Sequence, residues 1–150
     1  MSAKHPIISV TGSSGAGTTT VKHTFDQIFR REGIKAAYIE GDAFHSLDRV
    51  GMRRAMEEAA AAGNHHFSHF GPEANLLAEL EATFERYGRT GAGLTRHYIH
   101  DAAEAERYGS PPGSFTDWQD FPEATDLLFY EGLHGAVVTD LVNVGRHADL

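Results

Sequence analysis

Cysteine is absent from this 150-residue sequence. That excludes disulfides and thiolate metal centres, and it suits a reducing, cytoplasmic setting. No apolar run is long enough to span a bilayer as a helix, and the first residues carry no signal-peptide pattern, so no membrane is expected as a partner. Positive charge is scarce too: 13 Lys and Arg stand against 21 Asp and Glu, a net charge of -8. A nonspecific nucleic-acid binder needs a basic face, and nucleic acid is therefore not an expected partner. An anionic ligand would have to be met by a local group of cations. What the chain does have is apolar content, 41% of its residues, which at this length fits one globular domain, residues 1–150.

A further absence is local. Residues 6–20 read P-I-I-S-V-T-G-S-S-G-A-G-T-T-T and follow the phosphate-loop pattern G-x-x-x-x-G-K-[ST] everywhere but at its lysine. Gly12 and Gly17 fill the glycine positions and Thr19 the hydroxyl position, while Thr18 stands in place of the lysine. Backbone N–H groups through such a loop, here Gly12, Ser13, Ser14, Gly15, Ala16, Gly17, Thr18, Thr19 and Thr20, favour phosphate together with the dipole of the helix that follows. Thr19 would bring its hydroxyl to a nucleotide-bound Mg²⁺. An ordinary glycine-rich strand-to-helix turn is the alternative.

The context is that of an α/β nucleotide fold. Residues 6–10 read as a buried strand, and residues 19–32 as a helix with Val21, Phe25, Ile28 and Phe29 on one face. Residues 34–39 form the next strand, so the two strands should run parallel, with the loop at the carboxyl end of the first. Helices are expected over 49–62, from Pro72 through the apolar positions Leu76, Leu77, Leu80 and Phe84 up to Tyr87, and over 102–108. A glycine-rich turn covers 88–93, a short strand 94–100, a structured loop 109–122 and a buried strand 127–130. The last residues look like a polar turn just before another strand. The expectation is the N-terminal part of a longer P-loop kinase domain, a mostly parallel sheet flanked by helices.

Acidic residues stand at the strand ends. Asp42 follows the second strand, where a carboxylate can take the proton of a hydroxyl attacking a γ-phosphate; a helix cap or an outer-shell Mg²⁺ ligand is the other reading. Glu131 closes the strand over 127–130, as a Walker B acid does, and could orient a metal-bound water; a paired structural carboxylate is the alternative. His45 and Arg49 follow Asp42 by three and seven residues, which puts all three on one side if that segment is helical. Such a pair suits a sugar phosphate; a solvated charged helix is the bland reading. Arg96 and His100, with Tyr98, could close over a substrate or simply face solvent. His65, His66 and His69 lack a companion carboxylate at metal-site spacing and read as a loop over the site.

The stretches P-I-I-S-V-T-G-S-S-G-A-G-T-T-T-V-K-H-T-F, I-E-G-D-A-F-H, F-S-H-F, F-T-D-W and L-L-F-Y-E-G-L-H-G-A-V-V resemble phosphoribulokinase of the kind found in autotrophic proteobacteria, and more distantly the uridine kinases. The resemblance implies transfer of the γ-phosphate of ATP, with Mg²⁺, to the C1 hydroxyl of ribulose 5-phosphate, giving the CO₂ acceptor of the Calvin cycle. It implies Asp42 as base, Glu131 as Walker B acid, residues 12–20 on ATP, and His45 and Arg49 on the sugar phosphate. His100 matches a position tied to the sugar-phosphate region, and Arg31 one tied to effector response. Members of this kind are typically oligomeric and respond to NADH and AMP. Thr18 in the lysine position resembles them, whereas uridine kinases keep a lysine. The run after His45, S-L-D-R-V-G-M-R-R, departs from the family pattern in detail. Lys22, one helical turn on, is expected to point away, so the missing cation is expected from beyond Leu150. If the chain is complete as it stands, little or no kinase activity is expected. The alternatives are a uridine-kinase-like nucleoside kinase and a non-catalytic nucleotide-binding module.

Overall fold

In the computed structural model, which describes residues 4–150, the architecture is built on its last strand. β1 (Ile7–Thr11) and β2 (Ala36–Glu40) do not touch. β5 (Leu127–Gly132) lies between them, in the order β1-β5-β2, and these three strands are parallel. The parallel direction expected of the first two strands holds, with another strand between them. The composition of β5 explains its place. Leu127, Leu128, Phe129 and Tyr130 are all buried, as a strand covered on both faces requires. In register, Glu131 faces Val10 on one side and Glu40 on the other.

Alternation sends successive residues of this sheet into two cores. On one face Phe129 packs with Phe25 and Phe29 of α1 (Thr18–Glu32), beside Ile8, Val10 and Tyr38. On the other face Ile7, Ile39, Leu128 and Tyr130 meet Leu80, Phe84 and Tyr87 of α3 (Leu77–Thr90). Val144, in a 3-10 turn over Val144–His147, completes that side. The apolar stripe on α1 is narrower than its spacing suggests. Val21 and Ile28 remain 40% and 37% exposed, because only the Phe25–Phe29 side lies over the sheet.

Several boundaries shift for identifiable reasons. Pro72 opens only a 3-10 turn, Pro72–Ala74; Asn75 is extended and α3 starts at Leu77. α3 runs through Gly88 to Thr90, with Tyr87 buried against Phe121. The strand expected over 94–100 shrinks to β3 (Leu94–Thr95), paired antiparallel with β4 (Gln119–Asp120) from the loop. α2 (Arg49–Ala61), capped by Asp48, and α4 (Ala102–Tyr108), capped by Asp101, fall where the sequence puts them. At the free edge of β1, Leu150 O accepts from Ser9 N at 2.7 Å and Asp149 N donates to Ile7 O at 2.8 Å.

Candidate functional site

All three parallel strands end at the same edge of the sheet, where Thr11, Glu40 and Glu131 lead into loops. The glycine loop is the first of these. Gly15 and Gly17 take left-handed φ angles of 81° and 86°. At Gly12 a Cβ would stand 2.8 Å from Thr18 Cγ2, so the tight turn needs glycine. Gly12 N donates to Gly132 O at 3.2 Å, tying the loop to the end of β5. Opposite, a Cβ on Gly41 would fall 3.0 Å from Gly132 Cα, so the ends of β2 and β5 approach as closely as glycine allows.

Between these ends lies a cavity of about 470 Å³. Gly12, Ser13, Ser14, Gly15, Thr18 and Thr19 form one wall; Glu40, Asp42, His100, Glu104 and Glu131 stand across it. Ala16, Gly17 and Thr20 shape the turn and the start of α1 without lining the cavity. Four carboxylates in one cavity call for cations. Lys22 reaches its rim, but Nζ pairs with Asp26 at 3.6 Å and lies over the Tyr38 ring. The Glu131 carboxylate accepts no hydrogen bond and forms no ion pair among the described residues. Nor does any group of three His, Asp or Glu among them hold a metal-binding arrangement of its own.

Asp42 also borders a second cavity, about 270 Å³, with His45, His69, Phe70, Asn75 and His134. The segment from Asp42 to Arg49 is not one helix. A 3-10 turn spans Gly41–Phe44, His45 is extended, and α2 begins at Arg49. Asp42 and His45 nevertheless meet, Oδ1 to Nε2 at 3.2 Å, and His100 Nε2 reaches Asp42 Oδ2 at 2.8 Å. Arg49 lines neither cavity; its Nη2 donates to His100 O at 3.1 Å. Arg31 is remote and 74% exposed, paired with Glu32. His65 and His66 are exposed and line neither cavity.

The two imidazoles set the electrostatics. The hydrogen bond from His45, opposed by burial and reinforced by His100, holds the Asp42 carboxyl at about 2. Asp42 is therefore ionised at any ordinary pH, and its contribution to stability is lost only as pH falls from about 4 through 2. Burial pulls the His100 imidazole down, but its bonds to Asp42 and Glu104 outweigh that, and the net shift is upward from 6.5. A raised histidine stabilises fully below its unfolded value and loses that contribution as pH rises through the folded one. In an NMR titration His100 should titrate above 6.5, and Glu104→Gln should lower its midpoint. A midpoint at or below the unperturbed value would contradict the arrangement.

Two of these partners were not singled out in the sequence. Glu104 sits in H-D-A-A-E, a capping-box-like run. Asp101 caps the Glu104 N–H while Glu104 Oε2 accepts from the His100 N–H. That spacing was a usable signal. Asn75 is buried beneath His45 with no local signature. Arg96 lines neither of these cavities. It turns inward, donating to Ala43 O at 2.8 Å and His45 O at 2.7 Å, with its guanidinium over Phe115 and Trp118. The F-T-D-W stretch is thus the seat of the residue that clamps the Asp42 turn. A third cavity, about 340 Å³ and lined by Phe44, Leu94 and Trp118 among others, contains none of the expected site residues.

A parallel sheet with a glycine loop at its carboxyl edge and acidic residues on the neighbouring strand ends defines a P-loop kinase fold. Residues 7–150 match the Phosphoribulokinase / Uridine kinase family, and the chain belongs to it. Over all 150 residues it is 67% identical to a phosphoribulokinase of Nitrobacter vulgaris and 65% identical to phosphoribulokinase 1 of Cereibacter sphaeroides, covering 52% of each. The solved phosphoribulokinase of Rhodobacter spheroides superposes with a TM-score of 0.88 at 59% identity, over 98% of this chain and 50% of that one. The chain spans about half the length of the curated relatives it matches.

Proposed function

We propose that the protein carrying this chain transfers the γ-phosphoryl group of ATP to the C1 hydroxyl of ribulose 5-phosphate, forming ribulose 1,5-bisphosphate for CO₂ fixation in the Calvin cycle. The observation that carries this reading is the place of Asp42, at the boundary of two cavities, one walled by the glycine loop and one by histidines. The names of the relatives supply the acceptor.

ATP with Mg²⁺ fits the larger cavity by its donor set. The loop N–H groups and the start of α1 suit phosphates, and the unpaired Glu131 with the Thr19 hydroxyl suits the metal. Bound there, it supplies an electrophilic γ-phosphorus. Asp42 takes the proton of the acceptor hydroxyl. A carboxyl titrating near 2 is a weak base towards a free alcohol. It is a competent one late in a loose transition state, once the bridging oxygen has become acidic. His45 faces the acceptor side, and the Arg49 cation stands next to the His100 turn. Thr18 counts against the uridine-kinase reading. An NADH- or AMP-responsive surface involving Arg31, a homo-oligomeric state and a cytoplasmic location complete the proposal, all on the family resemblance.

ADP release coupled to the acceptor tests the reading, in the protein that carries this chain. Release with ribulose 5-phosphate but not with uridine is expected, and the reverse would overturn it. Arg49→Ala should raise the ribulose 5-phosphate KM several-fold with a smaller effect on kcat. An unchanged KM would remove Arg49 from acceptor binding.

A further inference from the structure

The hydrogen bonds beneath Asp42 point to a residue with no obvious place in phosphoryl transfer. Asn75 is 7% exposed. Its Nδ2 donates to His69 O at 2.9 Å and to Gly71 O at 2.8 Å. Both amide protons are therefore used, and the amide orientation is forced: flipped, Oδ1 would face two carbonyl oxygens. Oδ1 then lies 3.0 Å from His45 Nδ1 and can only accept. The backbone locks the pair in place. His45 and Asn75 form an antiparallel bridge, Leu76 N donates to Phe44 O, and Ser46 N donates to Ala74 O.

His45 thus has an oxygen acceptor at each ring nitrogen, Asn75 Oδ1 at Nδ1 and Asp42 Oδ1 at Nε2. It meets both as a donor only with a proton on each. The two sites are unequal. Asn75 is buried and fixed, and a bare nitrogen facing its oxygen would leave two acceptors opposed, a cost that no other donor among the described residues relieves. Asp42 has a side chain 52% exposed and has His100 as a second partner, so it tolerates the loss. The other groups facing His45 do not alter the choice: Tyr98 lies edge-on with its ring 6.0 Å away, and Arg96 holds the His45 carbonyl.

We propose that Asn75 is a positioning residue for the Asp42 carboxylate. It keeps the proton of the neutral His45 ring on Nδ1 and leaves Nε2, the nitrogen touching Asp42, as the bare one. The catalytic meaning of this rests on Asp42 being the base, but the tautomer does not.

Histidine ¹⁵N spectra recorded as the pH is raised test it. In the unmodified protein Nδ1 should stay pyrrole-type throughout while Nε2 becomes pyridine-type. Asn75→Asp, which keeps an acceptor oxygen but loses both donors, should preserve that pattern. Asn75→Leu should shift the neutral ring towards the Nε2–H form. A bare Nδ1 in the unmodified protein would overturn the proposal, as would an unchanged tautomer in a folded Asn75→Leu. If Asn75→Leu does not fold, the unmodified and Asn75→Asp spectra decide. Asp42→Asn separates the two readings. If turnover survives it, Asp42 is not the base, while the tautomer pattern of the unmodified protein still stands or falls by itself.

Discussion

Asp42→Asn should lower the rate of phosphoryl transfer to ribulose 5-phosphate by roughly 10²–10⁴-fold, the usual worth of a positioned proton acceptor. The substitution is nearly isosteric, so it separates charge from shape. The amide can still receive one hydrogen bond from His45 or His100, yet it cannot take the hydroxyl proton. ATP affinity should change little, because the loop wall of the larger cavity is built from β1 and the start of α1, apart from the Asp42 turn. Acceptor KM should change modestly. The His100 midpoint should fall at the same time, since one of the two carboxylates raising it is gone. A variant with near-wild-type kcat would mean that Asp42 only holds the two imidazoles.

Phe129→Ala should destabilise the fold by about 3–5 kcal/mol, the range for truncating a fully buried phenylalanine. Phe129 is the middle of the central strand, fully buried, and meets Phe25, Phe29 and Tyr38 with centroids 5.1, 5.8 and 6.0 Å away. Against a typical total stability of about 5–15 kcal/mol the loss is severe, and it should appear in denaturant melts as a lower midpoint. It should also loosen Glu131, two residues on, which lines the larger cavity. Val21→Ala on the exposed side of α1 is the matched control and should cost well under 1 kcal/mol. Equal effects at the two positions would contradict the two-core description.

The parts of this molecule legible in its sequence are those whose signal is local. The glycine loop declares itself by spacing, α1 and α3 by their period, and β5 by a run of four buried residues. What escaped depends on pairing between distant segments. Nothing in residues 7–11 or 36–40 says that residues 127–132 will slip between them. The strand expected over 94–100 fell to two residues because its partner is only Gln119–Asp120. Asp42 and Glu131 could be placed at strand ends by order alone. Asp42 and His45 do meet, but through a 3-10 turn and an extended residue, where helical spacing had been expected to align them with Arg49. The contacts of Arg96 and Asn75 were hidden for one shared reason: each acts on backbone or ring atoms some 30 to 50 residues away. Only Glu104 carried a readable motif that went unused.

The loop without a lysine remains the chemical centre of the account. Its cavity is lined by four carboxylates, and its nearest lysine is engaged with Asp26. The most direct test is ³¹P NMR identification of the product formed from Mg²⁺, ATP and ribulose 5-phosphate by the protein that carries this chain. ADP and ribulose 1,5-bisphosphate are expected in equal amounts, with product formation abolished or nearly so by Asp42→Asn. Phosphorylation of uridine with ribulose 5-phosphate left untouched would contradict it.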